Sequence, residues 1–249
     1  MTLEHFVLTR SAYGAAWDLE ANRRRLRLFE GVTCRTMAAQ TERRVTWILL
    51  LDVRDPFAGH RVLAAESTGI PVRILWWDQA GVELAPAPWD PQPNTPRQLV
   101  AATAYRAPWN DAIGIRTSRT LLTRIDDDDG FARNALERIR TSAERWPAPG
   151  RAARILPRGI RVWQGRQVPV RHPTNAWATL ETPAGDELTV YDYGHRQVRE
   201  QGFPVVDVDE DPGWLWVRHP DSISGIRHAD EPISDATREL FPIDWDLVA

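Results

Sequence analysis

An alternation of short apolar runs with amphipathic stretches organises the first 145 residues of this 249-residue chain. The apolar runs are rich in leucine, valine, isoleucine and tryptophan and predict buried strands, whereas apolar residues spaced three or four apart predict helices. This alternation is typical of an α/β domain with a mainly parallel central sheet. The predicted strands are residues 5–9, 45–51, 72–77 and 120–125, and the predicted helices are residues 19–40, 60–67 and 97–105 and a segment that begins near Phe131.

From about residue 155 the pattern changes to short strands separated by turns. No repeat and no long linker divides the chain, and five prolines between positions 86 and 96 predict only a loop. We therefore expect one domain over residues 1–249, in which a half over about residues 1–145 is followed by a β-rich half over about residues 146–249. The predicted strands of the second half are residues 159–163, 167–170, 176–180, 188–191 and 214–217.

The charge balance and the single cysteine exclude several classes of protein. Thirty-one basic residues, all of them arginine, stand against 34 acidic residues and give a formal net charge of −3. A protein that coats nucleic acid would be strongly basic, so we expect no stable nucleic-acid complex. Cys34 alone cannot form an intramolecular disulfide or a cysteine-based zinc cluster. The longest apolar run, residues 47–51, is too short for a membrane span, and the N-terminus lacks a secretory signal pattern, so the expected compartment is the cytoplasm.

Four consecutive aspartates, Asp126–Asp129, directly follow a predicted buried strand. Like charges this close repel one another, so the run needs an explanation. One interpretation is a solvated turn in which Asp128 or Asp129 caps the helix near Phe131. The other is a divalent-cation site, in which Asp126 and Asp128 point at one hard ion. An EF-hand is rejected because Phe131 stands where its loop requires glycine.

Charged residues follow three of the predicted parallel strands. Arg10, Asp52 and Asp126 each stand at or just beyond a strand's carboxyl end, which is the edge where α/β sheets bind ligands. We therefore expect these residues to share one crevice. A base or ribose would lie near Asp52, a diphosphate near Arg10 and Arg124, and a metal ion at Asp126 and Asp128.

Four stretches, in chain order, carry a resemblance to a known family. They are residues 5–10, residues 25–30 with Gln40, the Asp-x-Asp stretch at residues 123–130, and residues 214–224. In these stretches the chain resembles the bacterial rhamnosyltransferase family, which has the glycosyltransferase A fold. The chain departs from the family's pattern at Asp127, where the family has asparagine, at Gly130, where it has alanine, and at Pro220–Asp221, where it has a glycine-rich turn.

The resemblance implies a metal-dependent glycosyltransferase. Such an enzyme moves a sugar, here rhamnose or another hexose, from a nucleoside-diphosphate-sugar to a hydroxyl group of a glycan, glycolipid, protein or modified base. It implies that Asp126, Asp128 and His219 hold Mn²⁺ or Mg²⁺. The residues expected to bind the donor are Thr9, Arg10, Asp52, Arg124 and Asp127.

An inverting transferase also needs a base that takes the proton from the acceptor hydroxyl. Glu181 and Asp192 are the candidate carboxylates, with His195 as a third candidate. A retaining enzyme needs no such base, and the sequence does not choose between the two outcomes.

Several alternatives stay open at this stage. The chain could be a non-catalytic protein that binds nucleotide-sugars or glycans, or a sugar nucleotidyltransferase, although residues 9–14 lack the glycine-rich phosphate loop of the latter. Arg23–Arg25 form either a solvated helix face or a patch for peripheral membrane association. Trp109 and Trp177 either stack on an acceptor sugar or pack in the core.

Overall fold

The computed structural model describes residues 2–11, 19–78, 84–86, 98–100, 106–192, 195–219 and 229–248. The described helices are α1 (Leu19–Leu28), a π-helix (Phe29–Cys34), α2 (Arg35–Ala38), α3 (Ala58–Glu66), α4 (Arg106–Ile113), α5 (Ala135–Arg145), α6 (Asp235–Leu240) and two 3₁₀ turns (His195–Gln201 and Trp245–Leu247). The described strands are β1 (Leu3–Ser11), β2 (Thr46–Asp52), β3 (Val72–Trp77), β4 (Leu84–Pro86), β5 (Gln98–Val100), β6 (Arg119–Arg124), β7 (Gly130–Phe131), β8 (Ala152–Ile155), β9 (Arg158–Trp163), β10 (Arg166–Arg171), β11 (Thr179–Thr182), β12 (Val205–Asp207), β13 (Trp214–Val217) and β14 (Glu231–Pro232).

A seven-stranded central sheet has the order β12-β8-β11-β6-β1-β2-β3. Strands β6, β1, β2 and β3 run parallel to one another, whereas β11 runs antiparallel to both β6 and β8. Side chains on both faces of this sheet are buried, including Val7, Leu8 and Leu49. Burial on both faces is why these strands read as continuous apolar runs. The predicted α/β fold with a mainly parallel central sheet is confirmed.

A second sheet of five strands, in the order β14-β10-β9-β13-β7, comes mostly from the C-terminal half. Its strand β7 follows the aspartate run directly and pairs with β13, with Phe131 opposite Trp214. This pairing carries the tail of the chain to the end of the aspartate run. The β-rich character of the second half is confirmed.

The strands predicted in the first half agree with β2, β3 and β6 to within one residue, and β1 is two residues longer at each end than predicted. Three other predictions were wrong. Residues 98–100 of the predicted helix 97–105 form strand β5, and residues 101–105 and most of the proline-rich loop lie outside the described part of the chain. The predicted strand 188–191 is a turn, because Asp192 accepts hydrogen bonds from the backbone and the hydroxyl of Thr189. The helix expected near Phe131 begins only at Ala135.

The long first helix is confirmed, but its middle winds as a π-helix that packs against the C-terminal segment. Gly31 lies in this π-helix, and its carbonyl accepts a hydrogen bond from the backbone N–H of Asp244. A Cβ at Gly31 would lie 2.2 Å from Leu247 Cδ1, so a larger residue there would require the Leu247 side chain to move. In the described part of the chain, the helices are all too short or too polar to cross a membrane.

Candidate active site

Three neighbouring strands of the central sheet end at the same edge. Strand β1 lies between β6 and β2, and all three run parallel. The structure therefore places Arg10, Asp52 and Asp126 along one edge, the carboxyl edge where α/β sheets bind ligands.

The four aspartates alternate between buried and partly exposed positions. The side chains of Asp126 and Asp128 are 30% and 13% exposed, whereas that of Asp127 is 1% exposed and Asp129 is buried. None of them caps α5, which begins at Ala135 after the N-cap residue Asn134. The capped-turn interpretation was therefore wrong, because Gly130–Phe131 continue as a strand.

Asp127 is an anchor inside the protein. Arg25 Nη2 donates a short hydrogen bond to its Oδ1, and Ser11 Oγ donates to its Oδ2 at 3.1 Å. Arg61 Nη1 lies 3.5 Å from the same Oδ2. With both oxygens engaged and the side chain buried, Asp127 holds the run in place and does not face the crevice, where the sequence had placed it.

Asp129 is the second anchor. Its Oδ1 accepts the backbone N–H of Val217 at 3.1 Å, and its carbonyl accepts the hydroxyl of Thr33 at 2.9 Å. Burial, together with the carboxylates of Asp128 and Asp126, raises the pKa of Asp129 well above its ordinary value. Asp129 therefore joins the run to strand β13 on one side and to the π-helix on the other.

Asp128 contacts the histidine of the tail. Its Oδ2 lies 2.9 Å from His219 Nε2 and 3.5 Å from Arg25 Nη1. The side chains of His219 and Asp128 are only 10% and 13% exposed, so their contact is largely shielded from solvent. The pairing of β7 with β13 explains this meeting, since it draws residues 217–219 along the run.

Asp126 lies in a different environment, made of two arginines and an aromatic ring. Arg124 donates from Nε and Nη2 to Asp126 at 2.9–3.0 Å. Burial alone would raise the pKa of Asp126, but Arg124 and Arg10 outweigh it and hold the pKa below its ordinary value. The guanidinium carbons of Arg10 and Arg124 lie 4.9 Å and 5.0 Å from the centroid of the Tyr191 ring. Tyr191 is itself stacked on Trp109 at 5.2 Å.

Two of the three predicted metal ligands come together. Asp128 and His219 offer one carboxylate and one imidazole, which is a donor set that Mn²⁺ accepts. A cation that binds substrate phosphates needs only one or two protein carboxylates, because phosphate and water oxygens complete its shell. The residues present therefore fit such an ion at Asp128 and His219. Asp126 pairs with Arg124 instead, and no set of three histidine, cysteine or acidic side chains forms a cation site within the described residues.

Two of the predicted donor contacts are buried. Thr9 lies inside the sheet, where its hydroxyl accepts the indole N–H of Trp47 at 2.9 Å. Asp52 binds Arg54 through both carboxylate oxygens, at 3.0 Å and 2.8 Å. Arg54 is one-third exposed, so it is Arg54, held by Asp52, that faces solvent at this end of β2.

The two candidate bases differ in position. Glu181 lies opposite Leu121 on β6, away from the carboxyl edge, and its fully buried carboxylate binds Arg154 and Arg119. The structure does not bring Glu181 to the site. Asp192 follows Tyr191 directly and is half-buried, with its Oδ2 held by Thr189. The side chain of His195 lies outside the described part of the structure.

Trp109 and Trp177 are core residues, at 0% and 3% exposure. Trp177 stacks on Trp214 with a centroid distance of 4.2 Å. Of the two interpretations left open by the sequence, packing is confirmed for both residues, and neither offers a free face to a sugar.

A buried polar cluster beneath the aspartate run has no counterpart among the residues predicted from the sequence. Arg61 is fully buried and donates to Asp55 Oδ2 at 2.9 Å and to Asn22 Oδ1 at 2.8 Å. Asn22 in turn donates to Asp55 at 2.7 Å. One signal could have found it, because Arg61 shares the helix face of Ala58 and Ala65, which are both buried.

Arg25 was also misjudged. Arg23 is 51% exposed and pairs with Glu20, as a solvated helix face predicts. Arg25 lies two residues later, but its side chain is only 12% exposed and faces the aspartates. For Arg25, both the solvated-face and the membrane-patch interpretations were wrong.

Comparisons with solved structures give low similarity. S. aureus TarS (residues 1–349, in complex with UDP) is 7% identical, with a TM-score of 0.42 over 87% of this chain and 61% of that chain. The chain thus spans about three-fifths of that TarS chain. Mouse xyloside xylosyltransferase 1 (apo form) is 11% identical, with a TM-score of 0.37 over 80% of this chain and 74% of that one. A "Putative Glucose-1-Phosphate Thymidylyltransferase" from Bacillus anthracis, in complex with a sucrose, is 12% identical, with a TM-score of 0.39 over 86% of this chain and 89% of that one.

No curated protein sequence matches this chain. The family described as "Putative rhamnosyl transferase" matches residues 90–230, which is more than half of the 249 residues. The matched span contains both the aspartate run and the tail with His219, whereas Arg10 and Arg25 lie before it. Pro220–Asp221, where the chain departs from the family's pattern, lie outside the described residues. The resemblance found in the sequence is confirmed, and the chain belongs to the rhamnosyl transferase family.

Proposed function

We propose that this protein is a glycosyltransferase that transfers a hexose, such as rhamnose, from a nucleoside-diphosphate-sugar to a hydroxyl group of a glycan, with a divalent cation as cofactor. One observation carries the proposal. Arg10 and Arg124 flank Asp126 at the same sheet edge where Asp128 meets His219, in a chain of the rhamnosyl transferase family.

The two arginines are suited to the charge that develops in sugar transfer. The leaving group is a nucleoside diphosphate, and its charge grows as the bond to the sugar breaks. Arg10 and Arg124 both act electrostatically on the carboxylate of Asp126, and their two guanidinium groups supply positive charge at this edge for an anion. One guanidinium group can bind two phosphate oxygens at once. Hydrogen-bond donors that are already oriented before the reaction stabilise the charge that develops on the leaving group.

Asp128 and His219 would hold Mn²⁺ or Mg²⁺ in this proposal. The bound cation supplies Lewis-acid stabilisation to the two phosphates. Because Arg25 also lies 3.5 Å from Asp128, the protein presents this carboxylate in a fixed position before any ligand arrives.

Asp192 is the base in this proposal. A base must reach the acceptor hydroxyl, and Asp192 directly follows the ring that Arg10 and Arg124 contact. Thr189 holds Oδ2 of Asp192 with two hydrogen bonds, at 2.6 Å and 3.0 Å, so the carboxylate has a fixed orientation. Glu181 takes no part, since it is buried between arginines away from this edge.

The first test is thermal unfolding with a panel of nucleoside diphosphates and nucleotide-sugars, with and without Mn²⁺. A ligand that binds the native state raises the melting temperature. We expect one nucleotide to give the largest Mn²⁺-dependent rise, and Asp128→Asn to lose it. Asp246→Asn, at an exposed carboxylate near the C-terminus, is the matched control and keeps the rise. No rise with any nucleotide would contradict the proposal.

The second test separates an enzyme from a binding protein. Release of nucleoside diphosphate from the nucleotide-sugar that binds best is measured with and without glycan acceptors. We expect release that depends on Mn²⁺ and falls in Asp192→Asn, while nucleotide binding by that variant is retained. Binding without release in the presence of any acceptor would favour the non-catalytic alternative.

A further inference from the structure

We propose that Arg25 is a positioning residue that sets the orientation of the aspartate run and thereby holds Asp128 toward the crevice. This inference rests on the proposed function, because it assigns Arg25 to the site that binds cation and diphosphate. Arg25 does not itself reach substrate in this role; it acts through Asp127 and Asp128.

The contacts of Arg25 suit this role. One guanidinium group touches two consecutive carboxylates, Asp127 through Nη2 and Asp128 through Nη1. Consecutive carboxylates repel each other, and a shared cation removes that repulsion while it fixes their relative orientation. Burial alone would lower the pKa of Arg25, but Asp127 and Asp128 raise it overall, so the guanidinium stays charged.

A second arginine supports the buried member of the pair. Arg61 of α3 lies 3.5 Å from Asp127 on the oxygen that Arg25 does not contact. Arg61 is held in turn by Asp55 and Asn22. Asp127 is thus fixed by side chains from two helices. The next residue, Asp128, is more exposed and contacts Arg25 on its buried side.

Thr33 in the π-helix and Gln40, just after α2, bind the same segment further along. Thr33 donates to the carbonyl of Asp129, and Gln40 Nε2 donates to the carbonyl of Ala132 at 2.8 Å. Gln40 Oε1 also accepts the backbone N–H of Leu136 at 3.2 Å. The helix and the residues just after it therefore contact the chain from Asp127 to Leu136 at three positions about two turns apart, and Arg25 is the first of them. Substitution of Arg25 therefore removes the contacts with Asp127 and Asp128 and leaves the contacts with residues 129–136.

The test compares Arg25→Gln and Arg25→Lys with the matched control Arg27→Gln, which lies on the exposed face of the same helix. Binding of Mn²⁺ is followed by the electron paramagnetic resonance signal of the free ion, with and without the nucleoside diphosphate that the wild type binds best. We expect Arg25→Gln to weaken Mn²⁺-dependent binding by about tenfold or more, as for other residues that orient a metal ligand. Arg25→Lys restores part of the loss, because it keeps the charge but not the two-pronged contact.

A second measurement needs no metal. The side-chain ¹⁵N signals of His219 report its contact with Asp128. We expect them to move in Arg25→Gln and to stay in place in Arg27→Gln. Binding of the nucleoside without phosphates is unchanged in both variants, which separates a local loss of orientation from general damage to the crevice.

The outcomes are distinct. Suppose that the wild type binds Mn²⁺ with nucleotide, and that a folded Arg25→Gln binds it equally well with unmoved His219 signals. This result overturns the inference and leaves the proposed function standing. A wild type that binds no cation with any nucleotide overturns the proposed function and the inference with it. If Arg25→Gln does not fold, the double variant Arg25→Gln/Asp127→Asn removes both partners of the buried pair and takes its place. The inference then requires that the double variant folds and still loses Mn²⁺-dependent binding.

Discussion

Two buried carboxylates of this protein, Asp127 and Glu181, each lie between two guanidinium groups, at opposite positions along the central sheet. Asp127 is held by Arg25 and Arg61 beyond the carboxyl end of β6. Glu181 is held by Arg154 and Arg119 near the other end of that strand. The chemistry of the two clusters is the same, but their neighbours differ.

Asp127 has partly exposed functional groups on both sides in the chain, Asp126 and Asp128, and the second of these contacts His219. Glu181 has buried neighbours, Leu180 and Thr182. A buried ion pair is therefore no sign of a reactive site by itself. What marks the site is a buried anchor that fixes partly exposed carboxylates beside it, and the two clusters can be told apart by experiment on that basis.

The largest effect on stability is expected at the cluster away from the site. Glu181→Gln leaves Arg154, which is fully buried, without its charged partner. We expect the free energy of unfolding to fall by about 3–5 kcal/mol, the usual cost of breaking a buried pair by removing one member. Urea unfolding measures it. If Glu181 is structural, turnover per folded molecule stays at the wild-type level, whereas a loss of turnover in fully folded protein would restore Glu181 as a candidate base.

Asp128→Asn should show the opposite pattern, with a smaller effect on stability and a large effect on binding. Asp128 belongs to a run of carboxylates that repel one another, so loss of its charge offsets part of the loss of its contacts with Arg25 and His219. The free energy of unfolding should therefore fall by less than in Glu181→Gln. Mn²⁺-dependent binding of the nucleoside diphosphate should fall by about 10- to 100-fold or more, since a ligand is lost. Isothermal titration with and without Mn²⁺ measures it. Equal affinity in Asp128→Asn and wild type would place the cation elsewhere.

Stability is expected to depend on pH through a row of hydrogen-bonded polar side chains that crosses the sheet between the two clusters. His5 Nε2 lies 2.7 Å from the hydroxyl of Thr123, which contacts that of Thr179. Burial, with a further contribution from Arg140, lowers the pKa of His5 to about 3. The unfolded chain takes up this proton near pH 6.5 and the native protein does not, so His5 makes the protein less stable as pH falls from 6.5 towards 3.

The comparison of wild type with His5→Gln isolates this effect from the titration of other groups. The free energy of unfolding of wild type should fall relative to the variant by about 1.4 kcal/mol per pH unit in the middle of this window. Above pH 6.5 the difference between the two proteins should be constant. A difference that does not change between pH 7 and pH 5 would show that His5 takes up its proton in the native protein over the same pH range as in the unfolded chain, which would contradict the prediction.

Much of the fold followed from local patterns, because buried parallel strands are apolar on both faces and stand out in a sequence. The short segments were harder. Residues 98–100 carry no strand signal apart from their pairing with β4, and β8 and β12 owe their place to the sheet edge that they extend. Such pairings depend on partners distant in the chain, so local periodicity does not reveal them.

The sequence predicts where the candidate site lies but not how its residues are arranged. The rule about carboxyl ends of strands places Arg10 and Asp126 at one edge, and the family resemblance adds His219. Neither predicts that Asp127 points inward, because a run of identical residues has no polar and apolar pattern that shows which side chains are buried. Of the partners that decide this, Arg25 stands among exposed arginines in the sequence, and Arg61 is marked only by the helix face that it shares with Ala58 and Ala65.

The smallest effect separates these arginines from a neighbour of the same type. Arg23 precedes Arg25 by two residues, so it points away from the aspartates, and its pair with Glu20 is exposed on both sides. Arg23→Gln should change the free energy of unfolding by less than about 0.5 kcal/mol and leave Mn²⁺-dependent binding unchanged. The same change at Arg25 should lower both, which chemical denaturation and titration of the two variants side by side will measure. Equal losses at Arg23 and Arg25 would mean that the charge of the helix as a whole, and not the contact of one guanidinium with Asp127 and Asp128, supports the site.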